Sequence, residues 1–340
     1  MRIFLLIIFA FLWYLGFSKD LSKWLFEKNI TKDDYRYGDL YRLSNLAQFR
    51  VQIEKCGSTE IEKAPNTSLI LLGDSFTEKG RIDSNNFKAE SFQRFFVADT
   101  SFVKLDKTKK NILIIETVER HFRERFARPY KNLQLIDNQI IKKNSTHTNP
   151  ILVEKSWSEV VYRFVQDALA YEVQYNTERH ETLLFSSDFF LTFREWKAWL
   201  NWKLFGRIDE KVVLSKDGQH ILYYLDAQPS GITSCFDKIS EAEIKALVQN
   251  VNETNNYYKS LGFDEAYLSI IPNKTSILAS DLGKYNHLIE RIQQSSILEM
   301  PYLDVYKPIK SSKTLLYDIG DTHWNCKGKQ IWIDEVNHKL

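Results

Sequence analysis

Cysteine is scarce. The 340-residue chain has three, Cys56, Cys235 and Cys326, far apart and never in a CxxC pair. That argues against a structural zinc site. One disulfide with one free thiol fits the count, as do three reduced buried thiols, and no cysteine has a convincing motif around it. Excess charge of either sign is also missing. Lys and Arg number 46 against 44 Asp and Glu, a formal net charge of +2. No basic run is long enough to follow a nucleic-acid backbone, so nucleic acid is not an expected partner. Repeats and low-complexity linkers are absent too. With 44% hydrophobic and 26% charged residues, the composition is that of a folded globular protein and not a disordered one. The length allows one large domain or two smaller ones.

Aromatic residues, in contrast, are plentiful at 14% and crowd between Trp157 and Tyr224. Such rings can stack on sugars, but clusters of them more often fill cores and interfaces. The N-terminus carries the one long uncharged run, IFLLIIFAFLWYLGF over residues 3–17, preceded by Arg2 and followed by Ser18-Lys19-Asp20. Fifteen residues suit the core of a signal peptide and fall short of the roughly 20 needed to cross a bilayer. Gly16 and Ser18 make a weak cleavage site, while Leu21, Trp24 and Leu25 could extend the apolar face into the interface. This favours an uncleaved signal anchor over residues 1–20, with a cleaved signal as the alternative and the first helix of a cytosolic domain as the plain one. In either export reading the rest of the chain is extracytoplasmic.

Three continuous apolar runs, SLILL from Ser68, NILIIETV over 111–118 and AYLSII over 266–271, predict strands buried on both faces. Residues 240–260 place Ile244, Leu247, Val248 and Val251 at helical spacing. Ser240 and Glu243 form a capping box at the start, and Gly262 marks the end. Helix, glycine and buried strand make half of a βαβ unit, so the predicted fold class is α/β with a mainly parallel sheet covered on both faces. The stretch 125–237 breaks that rhythm. It holds an aromatic helical pattern (Trp157, Val161, Phe164, Val165, Ala168) and then two strand-like runs around Lys216-Asp217-Gly218-Gln219, a hairpin signal. It is expected to be an insertion in a catalytic domain spanning 21–340.

The first buried run stops at Gly73-Asp74-Ser75-Phe76. A solvent turn accounts for Gly and Asp without chemistry, so the question is whether the chain supplies Ser75 with a base. A serine hydroxyl needs one, held in place by a third group. His121, His147, His180, His220, His287 and His338 lie in charged or polar surroundings and read as surface histidines. His323 differs. In Gly320-Asp321-Thr322-His323-Trp324 it follows an aspartate by two residues and precedes an apparent helix near Lys327. A carboxylate at that spacing can reach Nδ1 and leave Nε2 free for a serine.

These pieces resemble the SGNH/GDSL hydrolase superfamily and, more narrowly, its alginate O-acetyltransferase group. Gly73-Asp74-Ser75-Phe76, Glu119-Arg120, Lys216-Asp217-Gly218, Pro272-Asn273-Lys274 and Asp321-Thr322-His323-Trp324 with Gly328 are each similar to a segment of that group. The order differs. There the Asp-x-His segment comes first, whereas here Ser75 precedes it, as in ordinary SGNH esterases. The resemblance implies a three-layer α/β sandwich with Ser75 as nucleophile, His323 as base and Asp321 as its orienter. Gly73, Asp74, Arg120, Asn273, Lys274 and Trp324 are candidates around the oxyanion or substrate. Of these, Asp74 is expected to be structural. Glu119-Arg120 could position substrate or form a solvated ion pair. Asn273 and Lys274 could face the site or cap their strand. Ser75 is expected at the start of a helix. The implied activity is O-acetylation of an extracytoplasmic polysaccharide at the periplasmic face of the inner membrane, with no soluble cofactor or metal. The acyl group would come from a membrane-bound O-acyltransferase partner. A secreted carbohydrate esterase and a non-catalytic glycan-binding subunit are the alternatives.

Overall fold

A computed structural model of the chain describes residues 2–17, 24–25, 28, 30, 35–57, 61–136 and 187–340. The aromatic pattern at 157–168 lies outside them. Nine strands are present among the described residues: β1 Ala64–Gly73, β2 Ala89–Phe96, β3 Ser101–Val103, β4 Lys110–Val118, β5 Leu133–Leu135, β6 Val212–Leu214, β7 Ile221–Tyr223, β8 Glu265–Ile271 and β9 Tyr302–Leu303. Seven helices matter to the argument: α1 Arg2–Phe17, α2 Asp39–Ser44, α3 Glu119–Arg125, α4 Asp188–Phe205, α5 Glu241–Ser260, α6 Lys274–Leu278 and α7 Cys326–Lys339.

The central sheet runs β2-β1-β4-β8-β9, and every pairing in it is parallel. The three runs predicted as buried strands are its three inner members. Their continuous apolarity has a geometric cause. Alternate side chains point to opposite faces, and both faces are covered. Leu69, Leu71, Ile112 and Ile114 join Trp332, Ile333 and Val336 of α7 in one core. Their neighbours Ile70, Leu72, Leu113 and Ile115 join Ile244, Leu247, Val248 and Val251 of α5 in the other. Helices therefore sandwich a parallel sheet, as the α/β reading expects.

The Ser240 hydroxyl accepts from the Glu243 N–H, and Gly262 turns the chain with φ +101°. The capping box is only half made, because the Glu243 carboxylate turns away to Arg123 at 2.7 Å. Within 125–237, β6 and β7 form the expected antiparallel hairpin with Gly218 at φ +71°. Val212 and Ile221 of that hairpin share a third core with Leu40, Tyr41, Leu46, Phe49 and Leu191. This stretch thus packs on the segment that follows the N-terminus. One disulfide, Cys56–Cys326, ties that segment to the first residue of α7, and Cys235 is a buried free thiol. Among the described residues no helix is long and apolar enough to cross a membrane, and α1 has 16 residues.

Candidate active site

β1 delivers Ser75 to the carboxyl end of the parallel sheet, where open α/β folds place their ligands. The chain leaves the strand in a short 3₁₀ turn, Ser75–Thr77, instead of the expected helix. The reason is local. The Asp74 carboxylate accepts from the N–H of Phe76 at 3.0 Å and from the N–H of Val118, at the end of β4, at 2.8 Å. The Asp74 N–H donates to Glu116 of β4 at 2.9 Å, and the same Glu116 oxygen accepts from the Thr77 hydroxyl at 2.8 Å. Gly73 is required by this crowding: a Cβ there would lie 2.0 Å from Thr77 Oγ1 and 2.9 Å from Glu116 Oε2. The loop carrying Ser75 is therefore fastened to the neighbouring strand.

The two acids beneath it are shifted in opposite directions. Burial and the adjacent Asp74 charge push Glu116 well above the usual carboxylate range. Burial also acts against ionisation of Asp74, but the Arg125 guanidinium and the two backbone donors outweigh it and hold Asp74 below its ordinary value. Arg94 closes the rim, donating to the carbonyls of Gly73 and Asp74 at 2.9 and 2.5 Å.

The opposite wall is the turn before α7. His323 Nε2 lies 2.9 Å from Ser75 Oγ, 248 residues away in sequence. Its Nδ1 is hydrogen-bonded to Asp321 Oδ1, and its backbone N–H donates to the same oxygen at 2.8 Å. Burial alone would raise Asp321, but the hydrogen bonds and charge of His323 pull it below the carboxylate range. An ionised carboxylate only accepts, so Nδ1 carries the proton and the Nε2 lone pair faces the serine. Phe76 fixes the ring plane, its centroid 4.6 Å from that of His323. The Ser75 N–H donates to no protein acceptor among the described residues. The arrangement is that of an activated serine.

No protein-family model, curated protein or solved structure matches the chain.

The same geometry places the other candidate residues. Lys274 neither faces the serine nor merely caps its strand. Its ammonium is buried beneath the turn and donates to the carbonyls of Asp318, Ile319 and Asp321 at 2.7, 2.9 and 2.9 Å. Burial pushes it down to about 8, against the pull of Asp321, Asp39 and Asp318. Asn273 is fully buried; its side chain accepts from the Arg120 N–H and donates to Cys235 Sγ. Glu119 and Arg120 do not form a solvated pair, because both are buried and each has its own partners. Glu119 accepts from the Asn273 N–H, the Ser276 hydroxyl and the Tyr285 hydroxyl. Arg120 contacts both carboxylate oxygens of Asp226 at 3.0 Å, and burial pushes that aspartate up to about 6. Trp324 packs edge-on against Phe76 at 5.2 Å in the core behind the histidine. Gly73, Asp74, Arg120, Asn273, Lys274 and Trp324 thus build the frame of the site.

Asp39 escaped the sequence reading. It opens α2, and its backbone N–H donates to Asp321 Oδ2 at 3.1 Å. Its carboxylate accepts from the Thr322 N–H and hydroxyl at 2.8 and 2.7 Å. Burial and the Asp321 charge raise Asp39 above its ordinary value. Asp39, Asp321 and His323 bring potential metal-ligand atoms within 4.8 Å of one another. Yet the Asp321 oxygens are engaged by His323 and Asp39, and the Asp39 carboxylate by Leu40 and Thr322. The donor set is already used in holding the turn. Glu116 did leave a signal: it is the one acid in its strand and directly follows the apolar run Ile112–Ile115.

Proposed function

We propose that this chain is an SGNH-like acyl-transfer enzyme, anchored at the outer face of a membrane, that O-acetylates a polysaccharide. The observation that carries the proposal is the 2.9 Å approach of His323 Nε2 to Ser75 Oγ, with Asp321 on the other ring nitrogen. His323 removes the serine proton as Oγ attacks an acyl carbonyl, and Asp321 stabilises the imidazolium that forms. The Ser75 N–H donates to the developing oxyanion, a contribution typically worth several kcal/mol. The tetrahedral intermediate collapses as His323 returns the proton to the leaving oxygen, giving an acyl-serine. A sugar hydroxyl then gives up its proton to His323, attacks the acyl carbon and regenerates Ser75. The Cys56–Cys326 disulfide supports an oxidising, exported location. Arg2–Phe17 would hold the domain beside a membrane-bound acyl donor and raise its local concentration.

The test is direct. Purified protein with p-nitrophenyl acetate and oligosaccharides in excess should give acetylated sugar by mass spectrometry. Ser75→Ala should abolish turnover and fluorophosphonate labelling. His323→Ala should lower turnover by roughly 10²–10⁴-fold, and Asp321→Asn should also be severe because the amide favours the wrong tautomer. Wild-type turnover in Ser75→Ala would remove the serine from the mechanism. Hydrolysis alone, at every acceptor tried, would make the esterase the better reading.

A further inference from the structure

α4 has two apolar stripes on opposite sides. One comprises Leu191, Ala198 and Trp202, and it packs against the core formed with Leu40, Tyr41 and Phe49. The other, Phe189, Phe193, Trp196, Leu200 and Leu204, follows the spacing i, i+4, i+7, i+11, i+15. These side chains are exposed by 65, 52, 64, 44 and 66% respectively. Rings of Phe189, Phe193 and Trp196 touch in sequence, with centroids 5.2 and 6.0 Å apart. A helix with only its inward face buried would carry polar residues on the outward one.

Charge separates the two sides as cleanly. The helix has two acids, and both point to the body of the protein. Asp188 pairs with Arg36 and Arg50 at 2.9 and 3.0 Å, and Glu195 with Arg50 and the Tyr41 hydroxyl at 3.3 and 2.7 Å. The outward side holds no acid. Lys197 and Lys203 follow the two edges of the aromatic stripe and both are exposed, the Lys203 ammonium resting over the Trp202 ring at 3.6 Å.

The geometry points to α4 as an interfacial helix that lies in the surface of an anionic bilayer, its aromatic stripe in the headgroup–acyl boundary and its lysines at the phosphates. Aromatic rings flanked by lysines, without acids, are the composition suited to that boundary, where each basic residue adds attraction to anionic lipid. The chain supplies a companion contact. α1 exposes Ile3, Phe4, Leu6 and Ile7 on a helix whose one charged residue is Arg2 and which is too short to cross unaided. Single weak membrane signals bind reversibly, and two together anchor stably. Docking α4 would also fix orientation, because its inward face grips residues 36–50, which include Asp39. None of this depends on the chemistry at Ser75.

The test uses the full chain with an environment-sensitive fluorophore on Leu200→Cys. Cys235 is buried and Cys56 and Cys326 are joined, so the new thiol takes the label. Lys245→Cys on the exposed face of α5 is the control. On vesicles of phosphatidylethanolamine and phosphatidylglycerol in equal parts, the label at 200 should shift to the blue, resist aqueous iodide and be quenched by spin-labelled acyl chains. The label at 245 should do none of these. Lys197→Glu with Lys203→Glu should reduce the protection to the level seen on phosphatidylcholine alone. Trp196→Glu with Leu200→Glu should release α4 while leaving p-nitrophenyl acetate turnover unchanged. Equal iodide access at 200 and 245 on anionic vesicles would overturn the proposal. So would protection at 200 before vesicles are added: a monomer in sedimentation would assign the stripe to another part of the chain, and a dimer to a second copy.

Discussion

Gly38 and Gly320 touch through their backbones. A Cβ on Gly38 would lie 2.3 Å from the Gly320 carbonyl oxygen, and one on Gly320 would lie 2.2 Å from the carbonyl oxygen of Tyr37. The contact is sealed by the Tyr41 N–H, which donates to the Gly320 carbonyl at 2.8 Å. It presses the segment before α2 onto the turn that carries Asp321 and His323. Gly320→Ala should therefore shift that turn instead of merely filling space. Overpacking of this kind costs about 1–3 kcal/mol. The expected result is a lower unfolding midpoint together with a fall in kcat on p-nitrophenyl acetate. Gly38→Ala should be worse, since its φ of +96° adds backbone strain for any residue with a Cβ.

Asp39 should behave as a positioning residue. Asp39→Ala leaves the Thr322 N–H and hydroxyl without their acceptor, a loss of about 1–3 kcal/mol for buried donors. The backbone N–H of residue 39 still reaches Asp321, so the histidine keeps its orienter. We expect kcat to drop by about tenfold, equivalent to about 1.4 kcal/mol of barrier, with KM nearly unchanged. Asp39→Asn, which retains one acceptor oxygen, should recover much of that loss. Steady-state kinetics with denaturant melts of the three proteins checks both parts. Equal kcat in all three would remove Asp39 from the site's support.

How much of this was legible depended on how local the cause is. β1, β4 and β8 showed as apolar runs because each is buried on both faces. β2, AESFQRFF, is an edge strand with both buried and exposed positions, and it left no such run. The pairing of Asp321 with His323 is a two-residue affair and could be read, as could a serine at a strand end. Asp39 lies 282 residues from Asp321, and nothing around it marks a role. Lys274 had two foreseeable orientations, and tertiary packing selected a third, under the turn. The three cysteines left the pairing open, because a count cannot choose partners 270 residues apart. Glu116 was legible as an acid directly after the apolar run Ile112–Ile115, in a strand whose burial demanded donors for it.

The Cys56–Cys326 bond closes a 270-residue separation and clamps residues 35–57 to the start of α7. Removing such a cross-link costs on the order of 2–5 kcal/mol. Cys56→Ser with Cys326→Ser should lower the unfolding midpoint, and dithiothreitol should lower the wild type to the same value without affecting the variant. Activity should fall alongside, since the clamped segment carries Asp39 and Gly38. Cys235 should resist alkylation throughout in the native state, because burial raises its thiol well above the ordinary range. Melts and thiol counts under both conditions test this. A reduced protein as stable and active as the oxidised one would make the clamp dispensable.

Lys274 gives the site a pH signature that separates activity from stability. As an ammonium it has three N–H groups for three carbonyls of the turn, and as an amine it has two. Burial pushes its titration down to about 8 from an ordinary value of 10.5. Background-corrected kcat/KM should therefore decline as pH rises through about 8, because one carbonyl beside Asp321 loses its donor and the turn loosens. Stability responds with the opposite sign. Between about 8 and 10.5 the unfolded chain keeps this proton and the folded one has released it. More protons bound in the unfolded state means stability rises with pH. This residue thus makes the fold relatively more stable in the very window where turnover falls. Lys274→Met should abolish the alkaline decline and start from a lower plateau, since all three carbonyls then lack a donor. Its stability should also lose the upward contribution between 8 and 10.5. Paired pH–rate profiles and denaturant midpoints of wild type and variant decide the matter, and an unchanged alkaline limb in Lys274→Met would place its cause elsewhere.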